Sequence, residues 1–199
     1  MMISRRALLL SALAAGLPPA ARADELFPVR MDAWKKLPYS HQRRKLACET
    51  AEPAGTIVVD PGKCHLYLVL GDGQALRYGV SVGRGAHAWT GEAAIRKMKE
   101  WPVWFPTPYH VKAYPSYAKW LPDGMPGGPD NPMGARSMYL FKGEVDTVNR
   151  IHGAMKHDHI GKKKTAGCIG MLDCDVIDLY SRVEIGTRVV MRAKRGLFG

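Results

Sequence analysis

The stretch GTIVVDPGKCHLYLVLGDGQALRYGVSVG, Gly55 to Gly83, decides the fold class. TIVVD is β-branched and stops at Pro61-Gly62, HLYLVL follows, and GDG turns the chain back. In ALRYGVSVG, Leu76, Tyr78, Val80 and Val82 recur at every second position, the period of a half-buried strand. Three short strands joined by tight turns make a meander.

The pattern extends downstream. YLFKG and TVNRIHG predict two more strands, and TRVVMR predicts a last one. Between Asp173 and Val183 the period changes to that of a helix. Val176, Leu179, Tyr180 and Val183 share one face, with Asp173 as its expected N-cap. Residues 101–134 are dense in Pro, Gly and aromatic side chains, which breaks both helix and ladder and reads as an ordered, packed loop region. The sum is a mainly β protein, a sandwich or partly open barrel with one short helix after Cys168. Upstream, residues 24–53 show no clear period and read as an N-terminal extension packed on a domain spanning 54–193, with 194–199 as a tail.

The first 23 residues read differently. Arg5 and Arg6 precede an apolar run from Ala7 to Leu17, and Ala21-Arg22-Ala23 is a small-residue cleavage pattern. That run is too short to span a bilayer as a mature helix, so an export signal of the Sec or twin-arginine type is expected, and with it a periplasmic protein. The expected mature chain then carries no integral membrane segment. The full chain has a formal net charge of +11, and the leader holds three arginines and no acid, which leaves +8. Such a surface favours acidic partners. The absence of a helix-turn-helix pattern, zinc-finger spacing or RNA-binding signature argues against nucleic acid.

Export makes the four cysteines, Cys48, Cys64, Cys168 and Cys174, informative. They allow two disulfides, one or none, and Cys48 with Cys64 is the more natural structural pair. Cys168 lies in KKKTAGCIG, between glycines and shortly after Lys162, Lys163 and Lys164. A nucleophilic thiol needs a base or cation, oxyanion donors and access. His152 ends the strand of RIHG, 16 residues earlier, where a side chain projects from a rigid element. Spacing alone leaves each of the two open to a structural reading. A metal reading also exists, because His152, His157, Asp158, His159, Cys168 and Cys174 lie within 23 residues. No C-x-x-C or H-E-x-x-H frame supports it.

RIHGAMKHDHIGKKKTAGCIGMLDCDVIDLYSRVEIGTRVVM resembles the active-site region of the L,D-transpeptidase family, the YkuD-type catalytic domain. The family motif is His-Gly, a loop of about fifteen residues, then Ser/Thr-x-Gly-Cys. The match here is His152-Gly153 and Thr165-Ala166-Gly167-Cys168. The opening meander and GGPDNPMGARSMYLF look like further family segments in the family's order. The resemblance implies a YkuD-like β fold and cysteine acyl transfer on peptidoglycan stem tetrapeptides. Cys168 would be nucleophile, His152 base, Gly153 the backbone that orients His152, and the Gly167 and Cys168 N–H groups the oxyanion hole. The terminal D-alanine would leave, and an amine of a stem peptide or of an acceptor protein would take the acyl group. No metal or organic cofactor is implied. Hydrolysis on the same scaffold, or peptidoglycan binding without chemistry, are the alternatives. Two departures stand out: Ala166 where many members carry histidine, and Gly170 where arginine is frequent. An arginine there would hold a substrate carboxylate. Arg136, Arg150 or Lys162–Lys164 are the candidates to replace its charge.

Overall fold

The computed structural model describes residues 25–84 and 89–192. The leader expected over 1–23 and the tail expected over 194–199 lie outside the described residues. Strands β2 (Ile57–Asp60), β3 (His65–Gly71) and β4 (Gln74–Gly79) form the meander. They alternate as the sequence predicts. Ile57, Val59, Leu66, Leu68 and Tyr78 enter the main core, while Val58, Tyr67, Val69 and Ala75 pack with Cys48 on the opposite face.

The meander is one third of a nine-stranded sheet. β1 (Arg44–Ala47) adds to the free edge of β4, so the region before residue 54 is part of the sheet. On the other side β11 (Arg188–Met191) lies parallel to β2 and antiparallel to β6 (Gly91–Glu100). Then follow β7 (Arg136–Lys142), β8 (Val145–His152) and the two-residue β10 (Ile169–Gly170), which runs parallel to β8. A separate parallel pair joins β5 (Val82–Gly83) to β9 (Lys163–Thr165). Helix α2 (Asp173–Tyr180) packs on β7 and β8. Its Val176 and Leu179 reach the same core as Ile95, Met138, Leu140, Ile151 and Ile169.

The structure corrects four expectations. A second short helix, α1 (Pro108–Ala113), lies inside the aromatic loop region, started by Thr107, whose hydroxyl accepts from the His110 N–H. α2 ends at Tyr180, so Val183 packs on the core from the following turn. The N-cap of α2 is Leu172, and the Asp173 carboxylate turns away from the helix. Cys48 and Cys64 are free thiols on opposite faces of the meander, because the alternation that buries both also separates them.

The aromatic loop is ordered by pairing and by one buried amide. Trp104 and Met125 exchange both backbone hydrogen bonds, and Trp104 packs edge-on to His110 and Tyr117. Asn131 is fully buried and reaches the carbonyls of Pro102, Met125 and Pro126 through Nδ2, while its Oδ1 accepts from the Met133 N–H. One buried side chain thereby ties together three backbone carbonyls and one N–H of a Pro-rich segment.

Candidate active site

The parallel pairing of β8 and β10 assembles the site. Ile151 is in register with Ile169 and His152 with Gly170. Both isoleucines point into the core, so by alternation His152, Gly170 and Arg150 face the other way. Cys168 precedes β10 by one residue, and the same register sets it beside Arg150. The Cys168 thiol indeed receives a hydrogen bond from the Arg150 backbone. Cys168, just before β10, and His152, at the end of β8, thus lie on neighbouring parallel segments, two residues out of register.

Hydrogen bonds fix both ends of this arrangement. The Met171 N–H donates to the His152 carbonyl, and Gly170 and Ser81 exchange both backbone bonds. Thr165 Oγ1 donates to the Cys168 carbonyl at 2.5 Å, closing the turn that carries the thiol. Gly167 at φ +119° takes the bend within that turn, where a side chain would be strained. Ala166 is exposed and Cys168 half-buried.

His152 is 7% exposed. Its Nδ1 lies 2.9 Å from the Gly153 carbonyl oxygen. A carbonyl only accepts, so Nδ1 carries the proton and Nε2 keeps a lone pair. Gly153 is in turn held by its N–H, shared between the Met133 and Arg136 carbonyls at 3.0 and 3.2 Å. Burial pulls the His152 pKa down to about 4, against the opposing pull of the Gly153 backbone, the Asp173 charge and the Pro132 backbone. Burial also pushes the Cys168 thiol up, against the hydrogen bond and charge of Arg150. At neutral pH the thiol and the imidazole therefore both rest uncharged. Such an imidazole can accept the thiol proton as the sulfur attacks.

The candidate cations separate clearly. Lys162, Lys163 and Lys164 are exposed, and the cation that acts on Cys168 is Arg150. The Arg150 guanidinium is bidentate on Asp146 at 2.6 and 2.8 Å and stacks over Tyr139. Arg136 is buried and committed elsewhere: it grips Glu25 with both terminal nitrogens and faces Tyr180, so its charge is neutralised within the scaffold. The His157–His159 segment is a 3-10 turn whose His157 Nε2–H donates to the Ala33 carbonyl. Among the described residues no group of three or more His, Cys, Asp or Glu is placed to hold a metal ion.

Two residues that sequence reasoning passed over shape the site. A Cβ on Gly170 would lie 2.6 Å from Cγ and Sδ of Met155, so Met155 fills the space a residue-170 side chain would need. Asp173 Oδ1 accepts from the Ala135 and Ala154 N–H groups at 2.8 and 3.0 Å, directly behind Gly153. An aspartate before a helical run reads as a cap, which hid the second role. The loop methionine carried no signal.

The fold is a mainly β scaffold in which a cysteine precedes, and a histidine ends, neighbouring parallel strands. The YkuD family model, described as the L,D-transpeptidase catalytic domain, matches residues 54–191, and the chain belongs to that family. It is 34% identical over 137 residues to the "Probable L,D-transpeptidase ErfK/SrfK" of Salmonella typhimurium, covering 69% of this chain and 38% of that protein. The chain spans about two fifths of the length of such curated relatives. Among solved structures it is similar to a Brucella melitensis protein described as a "Probable carnitine operon oxidoreductase caia", with 40% identity, a TM-score of 0.53, and coverage of 79% of this chain and 97% of that one. L,D-transpeptidase 3 of Mycobacterium tuberculosis shares the fold at 14% identity and a TM-score of 0.51, covering 69% of this chain and 60% of that one.

Proposed function

We propose that this protein is an exported peptidoglycan L,D-transpeptidase acting in the periplasm. Cys168 Sγ attacks the carbonyl of the third stem-peptide residue, and His152 Nε2 takes the thiol proton. The tetrahedral oxyanion rests on the N–H groups of Gly167 and Cys168. The carbon–nitrogen bond to the terminal D-alanine breaks, and the departing amine receives the proton from His152. A thioester remains. An amine from a second stem peptide or from a protein then attacks, loses its proton to His152 and releases Cys168.

The observation that supports this reading is the register of β8 with β10, which sets the segment bearing Cys168 alongside the strand that ends in His152, together with the hydrogen bond from His152 Nδ1 to the Gly153 carbonyl. Arg150 is the cation that acts on Cys168, and a substrate carboxylate reaching it would have to share or displace the bidentate Asp146. No helix among the described residues is long and apolar enough to cross a membrane.

The test uses the protein without its leader and a disaccharide-tetrapeptide, with products read by mass spectrometry. A crosslinked dimer, or loss of D-alanine, is expected with the native sequence and absent with Cys168→Ala. Product mass separates transfer to an amine from transfer to water. A free, reduced Cys168 with no turnover on any amine acceptor overturns the reading.

A further inference from the structure

We propose that Asp173 is a positioning residue for His152, holding the peptide that in turn fixes the imidazole tautomer. The inference rests on the reading of His152 as the base. Three observations converge on one oxygen. Asp173 Oδ1 accepts from the N–H of Ala135 and of Ala154, which lie on segments 19 residues apart in the chain. The same oxygen lies 2.1 Å from where a Cβ on Gly153 would stand, and 2.3 Å from that of Gly134. Both glycines therefore leave the volume that the carboxylate occupies. Ala154, which donates to it, sits at φ +62°, a backbone state that needs support from its surroundings.

The consequence follows along the chain. The Ala154 N–H belongs to the peptide whose carbonyl is that of Gly153. A peptide unit is planar, so holding its N–H fixes the direction of its C=O. That carbonyl accepts from His152 Nδ1 at 2.9 Å. Asp173 thus fixes the Ala154 N–H, the Gly153 carbonyl points at Nδ1, and the Nε2 lone pair is left for the thiol. Outer groups that orient a functional imidazole in this way set its tautomer. Asp173 is also the first residue of α2, five positions after Cys168. The element that follows the nucleophile therefore aligns the base.

The test is a nitrogen-15 spectrum of the His152 ring, read beside the single-turnover rate of thioester formation. In the wild-type protein at neutral pH, a proton on Nδ1 is expected. Asp173→Ala should give a mixture of tautomers and slow thioester formation about 10- to 100-fold. Asp173→Asn keeps an oxygen acceptor at the same place and should restore the Nδ1–H tautomer and most of the rate. A wild-type ring protonated on Nε2 overturns the proposal, and so does an Asp173→Ala protein with unchanged tautomer and rate. If Asp173→Ala does not fold, Asp173→Ser replaces it, since its hydroxyl is too short to span both N–H groups. The tautomer does not depend on turnover. If no stem peptide is processed while Asp173→Ala still releases the ring, the reaction falls and the positioning role stands. If turnover needs Cys168 while the tautomer ignores residue 173, the positioning role falls alone.

Discussion

At the residue scale, the site joins a basic-shifted thiol to an acid-shifted imidazole. Burial moves Cys168 up and His152 down to about 4, which opposes a resting thiolate–imidazolium pair. Alkylation of Cys168 by iodoacetamide should therefore be slow at pH 7 and rise only above the ordinary cysteine range. Fast alkylation at pH 6 would contradict a neutral resting pair. The other departure concerns Gly170. Because Met155 fills the space above it, Gly170→Arg should overpack the site, lowering stability by about 1–3 kcal/mol in urea unfolding. Adding Met155→Ala should recover most of that loss. Cys168, His152 and Gly153 are the sequence's own candidates, because glycines flank the thiol and the motif fixes their spacing; the structure adds the hydrogen bond from His152 Nδ1 to the Gly153 carbonyl. Asp173 and Met155 were not legible in the sequence. Their roles depend on which backbone groups the fold brings within reach, and no local pattern encodes that.

At the scale of elements, the meander, the β7–β8 hairpin and α2 were legible because apolar residues recur at strand or helix periods. β6 was missed. Only Ala93 and Ile95 of its ten residues are buried, and a register irregularity between Ile95 and Lys97 interrupts the alternation. β10 is too short to carry a period at all, although it positions the nucleophile. Helix α2 holds a further consequence. Asp175 is fully buried, and neither carboxylate oxygen has a hydrogen-bond partner among the described residues. Its closest cation, Arg43, is 3.6 Å away. Burial raises the Asp175 pKa to about 7, against the pull of Arg43. The folded state therefore holds a proton that the unfolded chain releases at lower pH, so this group's contribution is complete below pH 4 and fades as pH rises towards 7. Asp175→Asn should remove that decline, about 4 kcal/mol at full amplitude. Urea unfolding of both proteins at pH 4.5 and 7.5 checks it, and parallel pH profiles would contradict it.

At the scale of the whole molecule, residues 25–47 are built into the domain. β1 extends the sheet, Phe27 packs edge-on to Trp101, and Arg43 bridges to Asp178 at 2.9 Å while stacking on Trp34. Glu25 closes this strap on Arg136 and also accepts from the Trp101 indole N–H. Glu25→Ala leaves the Arg136 charge buried, with only the more exposed Glu100 nearby at 3.5 Å. A loss of about 2 kcal/mol is expected in thermal or urea unfolding, less than for a fully isolated pair. The sequence showed a basic segment without a period here. Its attachment runs through single side chains and one short edge strand, which leave no repeating signal.

The place of β11 governs the order in which the molecule can be made. It follows every other described strand in the chain, yet it lies between β2 and β6 and joins the meander to the β6–β7–β8 strands within the sheet. While a chain emerges from a ribosome, the two groups of strands can form but cannot yet pair along the β11 seam. Their union waits on pairing between residues more than 130 positions apart, Val189 with Ile57. Contacts of that separation are slow to close. The incomplete chain stays open along that seam until its last described strand arrives.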